Sequence, residues 1–212
     1  IKREEIRLKS VKSSVIEGNI GYIRIISFDD LTYKDFKSEL KKLQSQNVNG
    51  IILDLRNNPG GLLDVCADIA DEFLDEGTIV YTETRNGERE YLKSDKKHLD
   101  MPLVLLVNEG SASASEILAG AVKDRNRGVL VGTKTFGKGI VQRIFKLPDG
   151  SGYKLTVSEY FTPNGTNIHG IGITPDVIVE LPEDVEVIGP ENLAEDVQLK
   201  KAIEIMKDKM NK

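Results

Sequence analysis

Ile51-Ile-Leu-Asp-Leu55, running through Arg56-Asn-Asn-Pro-Gly-Gly61 into a helical pattern from Leu62 to about Asp75, is the stretch that decides the fold. Five nearly all-apolar residues suit a strand buried on both faces, as central strands of parallel sheets are. The loop breaks that strand, and apolar residues then recur at three- and four-residue spacing, which only a helix gathers on one face. Upstream, Asn19 to Ser27 reads as a strand and Thr32 to Gln46 as an amphipathic helix on Phe36, Leu40 and Leu43. Downstream, Thr78 to Thr84 turns at Asn86-Gly87 toward Arg89 to Leu92, the chemistry of a hairpin. Further strands follow over Pro102 to Val107, Gly128 to Gly132, Ile140 to Leu147, Tyr153 to Phe161 and Val177 to Leu181, with a helix from Ser113 to Lys123. Residues 3 to 12 alternate and predict an edge strand. Glu191 to Met210 predicts a last amphipathic helix, docked on its own core or on a second subunit. The alternation implies an α/β fold, a largely parallel sheet covered by helices with right-handed crossovers.

At 212 residues the chain is long enough for one full core. A net charge of −5 argues against nucleic acid as a partner, because neutralising phosphates needs a basic face. No stretch approaches the ~20 consecutive apolar residues of a membrane-spanning helix. The single cysteine, Cys66, excludes an intrachain disulfide framework and reads as a small core residue.

Two residues point to chemistry. Ser113, in Gly110-Ser-Ala-Ser-Ala-Ser-Glu-Ile117, opens a helix and fits a capping box with Glu116. The same position suits a nucleophile, since helix N-termini carry unpaired amides and a partial positive charge. Lys138, in Thr135-Phe-Gly-Lys-Gly-Ile-Val-Gln142, is read at the start of a strand, sharing a face with Ile140 and Gln142. A lone lysine is ordinarily surface charge. Desolvated beside Phe136 and Ile140, it becomes a base that can take the serine proton, with Gln142 holding the amine. Gly60 or Gly61, paired with the amide of Ala114, could receive an oxyanion, although the loop also reads as a plain helix-entry turn. Only two histidines are present. His98 lies in a polar loop, His169 in Asn167-Ile-His-Gly170, and neither has metal-ligand company.

These motifs resemble the protease core of the carboxyl-terminal processing (tail-specific) peptidases of the S41 serine peptidase family. The likeness runs from about Gly21 to Leu181. It rests on residues 21–25, 54–63, 107–117, 137–142 and 160–176, in that order along the chain. The resemblance implies a ClpP/crotonase-like core over residues 1–182, with 183–212 as a linker and C-terminal helix. It implies Ser113 as nucleophile, Lys138 as general base and Gln142 as its support, with no cofactor and no metal. It also implies protein or peptide substrates with apolar C-terminal tails, an upstream PDZ domain as partner, possible homo-oligomers and an extracytoplasmic location. A non-catalytic binding module of the same fold and a crotonase-like acyl-CoA enzyme are the alternatives, and the Ser113, Lys138 and Gln142 set argues against both.

Overall fold

The computed structural model describes residues 9–185 and 187–211. In chain order, Val11–Ile16 (β1), Ile20–Ile25 (β2), Thr32–Ser45 (α1), Gly50–Asp54 (β3) and Leu63–Asp71 (α2) are followed by a hairpin of Gly77–Thr84 (β4) and Arg89–Ser94 (β5). Leu103–Val107 (β6), Ala114–Asp124 (α3), Val129–Gly132 (β7), Ile140–Lys146 (β8) and Gly152–Phe161 (β9) come next. Val177–Ile178 (β10) and Val197–Met210 (α4) complete the chain.

Six strands form one sheet in the order β1-β2-β3-β6-β7-β10. It is parallel from β2 onward, with β1 antiparallel at the edge. The remaining four form an antiparallel sheet in the order β5-β4-β9-β8. The period-2 alternation of strands explains why β3 and β6 are apolar throughout. Ile51, Leu53, Leu103, Leu105 and Val107 face the core built with α1, α2 and α3, whereas Ile52, Val104 and Leu106 face α4 on the other side.

Two expectations shift. The predicted edge strand over 3–12 falls largely outside the described residues. The observed strand runs from Val11 to Ile16, because it pairs with β2 from Val11 opposite Ile25 to Ile16 opposite Ile20. The last helix starts at Val197 rather than Glu191. The Asp196 carboxylate accepts the Leu199 N–H at 2.9 Å and caps it there, leaving only a short 3-10 turn at Pro190–Asn192.

Helix α4 docks on its own sheet. Leu199, Ala202, Ile203 and Met206 are all buried, the spacing of one helical stripe. Gly50 makes room for it: a Cβ there would sit 2.4 Å from Met206 Sδ. Truncating Ile203 to alanine is expected to lower stability by about 2–5 kcal/mol, read from urea unfolding. A loss near zero would mean that α4 leaves the sheet in solution.

Candidate active site

Two crossovers of the parallel sheet meet at the C-terminal ends of β3 and β6, where open α/β sheets place their ligands. The β3–α2 loop supplies Gly60 and Gly61, and the β6–α3 turn supplies Ser113 and Ala114. Hydrogen bonds lock the two together. Ala112 N–H and Ser115 Oγ both donate to the Asn58 carbonyl at 3.0 Å, and Asn108 Nδ2 donates to Asn57 Oδ1 at 2.8 Å. Gly60 lies so close that a Cβ on it would meet Ala112 O at 2.6 Å and Ser113 Cβ at 2.8 Å.

Ser113 is half-buried at a strained turn, with φ 56° and ψ −115°. Left-handed φ is uncommon for serine, and such strain persists only where the surroundings over-determine it. The restraint is Glu116. This fully buried carboxylate accepts the Ser113 N–H at 2.9 Å and the Lys138 N–H at 2.8 Å, both on Oε2. Its other oxygen accepts the Gly137 N–H and the Thr135 hydroxyl, each at 2.6 Å. Ser113 and Lys138 are thereby brought together, their backbone nitrogens two hydrogen bonds apart through one oxygen. Phe136 N–H donates to Ser111 O at 3.0 Å and ties the two loops a second time.

The structure moves Lys138 off the strand. Strand β8 begins at Ile140, because Glu116 captures the Gly137 and Lys138 amides and withholds them from any ladder. Phe136 is 67% exposed and does not cover the amine, so Lys138 is half-buried rather than enclosed. Among the described residues its Nζ makes no hydrogen bond or ion pair. Gln142 is exposed on β8, opposite Thr156 at a β-bulge of β9, and its side chain likewise makes no hydrogen bond there.

The glycine pair divides. Gly60 N–H is taken by Asn58 Oδ1 at 2.9 Å, an Asx turn. Gly61 N–H and Ala114 N–H have no acceptor among the described residues; Ala114 follows Ser113 directly, and Gly61 follows Gly60, which packs on Ser113. Gly61 has φ 149°, and a Cβ on it would lie 2.0 Å from Phe28 O, so only glycine fits.

Reasoning from sequence saw Glu116 as half of a helix cap and missed its hold on the lysine loop. The available signal was a lone carboxylate in Ala114-Ser-Glu-Ile-Leu-Ala-Gly-Ala-Val122, a run too apolar to leave a glutamate pointing at water. Both histidines are exposed, and the His169 backbone N lies against Gly139 of the lysine loop. Cys66 is buried and donates to Ala114 O at 3.0 Å, and burial pushes its thiol up to about 12.

Arg56, at the head of the glycine loop, is 1% exposed and has an acceptor for each of its five N–H groups. Nε and Nη2 bond Asp54, Nη1 and Nη2 bond Asp196, and Nη1 also bonds Gln198 Oε1 at 3.0 Å. Tyr22 O–H donates to Asp54 Oδ2 at 2.6 Å, and burial beside that carboxylate pushes the phenol upward. Burial alone would raise the Asp196 carboxyl. The hydrogen bonds and charge of Arg56, with the Leu199 and Gly189 N–H groups, hold it below the usual carboxylate value. A carboxyl depressed on folding stabilises the fold above its unfolded value near ~4, and that contribution fades as pH falls through the folded value. Wild-type stability should therefore drop below about pH 4, and Asp196→Asn should be less stable at neutral pH with a shallower acid slope in urea titrations. Equal slopes would remove Asp196 from the acid transition.

Comparisons with known proteins agree with this architecture. The model of peptidase family S41 matches residues 19–179. A carboxyl-terminal-processing protease of Synechocystis is 48% identical, over 89% of this chain and 44% of the relative. A carboxy-terminal-processing protease of Bartonella bacilliformis is 46% identical, over 86% of this chain and 43% of the relative. The chain thus spans less than half the length of these relatives. Among solved structures, a photosystem II D1 C-terminal processing protease superposes with TM-score 0.78 at 36% identity, covering 92% of this chain and 53% of that one. With its fold, its motifs and this match over most of its length, the chain belongs to peptidase family S41.

Proposed function

We propose that the chain is the catalytic core of a serine endopeptidase that processes protein substrates near their C-terminus with Ser113 and Lys138. The observation that carries the reading is the Glu116 carboxylate, which binds the backbone of the strained serine and of the lysine through one oxygen. Ser113 Oγ attacks the scissile carbonyl while the Lys138 amine takes its proton and returns it to the leaving amine. The Gly61 and Ala114 N–H groups receive the oxyanion, a role for which their lack of acceptors suits them. This assignment drops Gly60, whose amide is already engaged, and keeps it as the close-packed neighbour of Ser113. Gln142 as support for the Lys138 amine goes with this reading through the family resemblance alone. Substrates with apolar C-terminal tails, an upstream PDZ domain that delivers them, self-association and an extracytoplasmic location go with this reading through the family resemblance.

A fluorophosphonate probe tests it. Wild-type protein, joined to whatever sequence flanks the core, should be labelled at Ser113 and should cleave a peptide with an apolar C-terminus. Ser113→Ala should do neither. Labelling that persists in Ser113→Ala would defeat the assignment.

A further inference from the structure

We infer that Asp196, the cap of α4, and Gln198, in its first turn, are positioning residues for the oxyanion loop and act on it through Arg56. Arg56 is both the buried centre of that cluster and the first residue of the loop that ends in Gly60 and Gly61. Its guanidinium is gripped from two directions, by Asp54 of β3 and by Asp196 with Gln198 from the far end of the chain. Asp54 Oδ1 also accepts the Arg56 backbone N–H at 2.9 Å, so the grip on the side chain fixes the main chain where the loop departs.

From there the contacts run without a gap to the reacting centre. Asn57 N–H donates to Asn108 Oδ1, Asn58 O accepts from Ala112 and Ser115, and Gly60 packs on Ser113. The distal anchors are equally fixed. Asp196 accepts the Gly189 and Leu199 amides, and Gln198 Nε2 donates to Val179 O at 2.8 Å. Packing of α4 needs none of this, since its apolar stripe is buried by Ile20, Ile52, Val104 and Leu106. What the polar cluster adds is a lateral constraint on the loop, and an oxyanion donor must be held to a fraction of an ångström. The C-terminal segment therefore acts on the site through Arg56.

Gln198→Ala, which removes one neutral acceptor, and Asp196→Asn, which removes the charge, test this in the intact protein. With a peptide substrate, well below each variant's melting transition, kcat should fall about 10- to 100-fold. KM should move less than about threefold, because the loss is felt in the transition state. Affinity for a peptide aldehyde, whose adduct with Ser113 places an oxyanion on the loop, should fall in step with kcat. Hydrogen exchange in the 57–63 segment should quicken by about tenfold in the same variants. A lowered melting temperature with kcat within about twofold of wild type, or unchanged exchange in 57–63, would reduce the cluster to a staple for α4 and overturn the inference. Should Asp196→Asn not fold, Gln198→Ala alone decides the question. The kinetic arm rests on the peptidase reading, so a wild-type protein that cleaves nothing defeats that reading, while the exchange arm still tests the brace.

Discussion

Lys138→Ala should lose nearly all peptidase turnover while melting within a degree or two of wild type. The two halves of this expectation have separate causes. Removing a general base, the role proposed for Lys138, typically lowers kcat by about 10²–10⁴-fold. Among the described residues the Lys138 Nζ has no hydrogen-bond or ionic partner, and the residue contributes to the fold through its backbone N–H on Glu116, which alanine keeps. Substitutions away from packing and buried networks stay within about 0.5 kcal/mol, so stability should hardly register the change. Lys138→Arg is the sharper variant. It preserves charge and reach, but a guanidinium does not give up its proton in proteins, and turnover should be as low as in Lys138→Ala. The measurement is kcat on a peptide substrate together with a thermal melt. Appreciable turnover by Lys138→Arg would make the lysine an electrostatic aid and leave the base to be found elsewhere.

Much of the fold was legible because its signals are local. The apolar runs at Ile51–Leu55 and Leu103–Val107 need helices on both faces, and the alternation of strand and helix orders them into one parallel sheet. The turn that opens α3 at Ser113 and the glycine loop after β3 were legible as local structure for the same reason, since each sits in a short motif. The partners of individual polar groups were not. That Gly60 would lose its amide to Asn58 depends on an Asx turn whose competitor, a free donor, has the same sequence. Lys138 read as a strand residue because Ile140, Gln142 and Ile144 continue its alternation. Nothing local reveals that a glutamate 22 residues earlier takes its amide.

The C-terminus shows the same limit from the other side. An apolar stripe in residues 191–210 predicts a helix but cannot say where it starts. The start was set by Asp196, and the role of Asp196 depends on Arg56 140 positions away. Charges buried in pairs are invisible to pattern reading, which assigns every Asp and Arg to the surface by default. Position helps more than type here: Arg56 directly follows a fully buried strand, where a surface residue has no route to water.

Glu116→Gln should lower stability and activity together. The carboxylate accepts four hydrogen bonds and presents no donor of its own. An amide of the same shape replaces one oxygen with an NH₂ group, which then faces either the Thr135 and Gly137 donors or the Ser113 and Lys138 donors. Whichever way it turns, two buried donors lose their acceptor, and each left unsatisfied costs about 1–3 kcal/mol. Urea unfolding should show the fold less stable by about 2–6 kcal/mol, on the assumption that both donors remain dry. Activity should fall further than stability implies, because either pair lost is part of the bridge: Ser113 and Lys138 share Oε2, while Gly137 and Thr135 set the lysine loop through Oε1. Released from that restraint the serine relaxes, and a misplacement near 1 Å lowers kcat by about 10²-fold. Thr135→Val separates the two effects. It removes the hydroxyl bond to Oε1 and the acceptor of the Ile173 N–H but leaves both backbone anchors on Oε2, so it should lower stability while keeping kcat near wild type. If Thr135→Val and Glu116→Gln reduce kcat equally, the carboxylate serves the core as a whole and sets neither Ser113 nor Lys138.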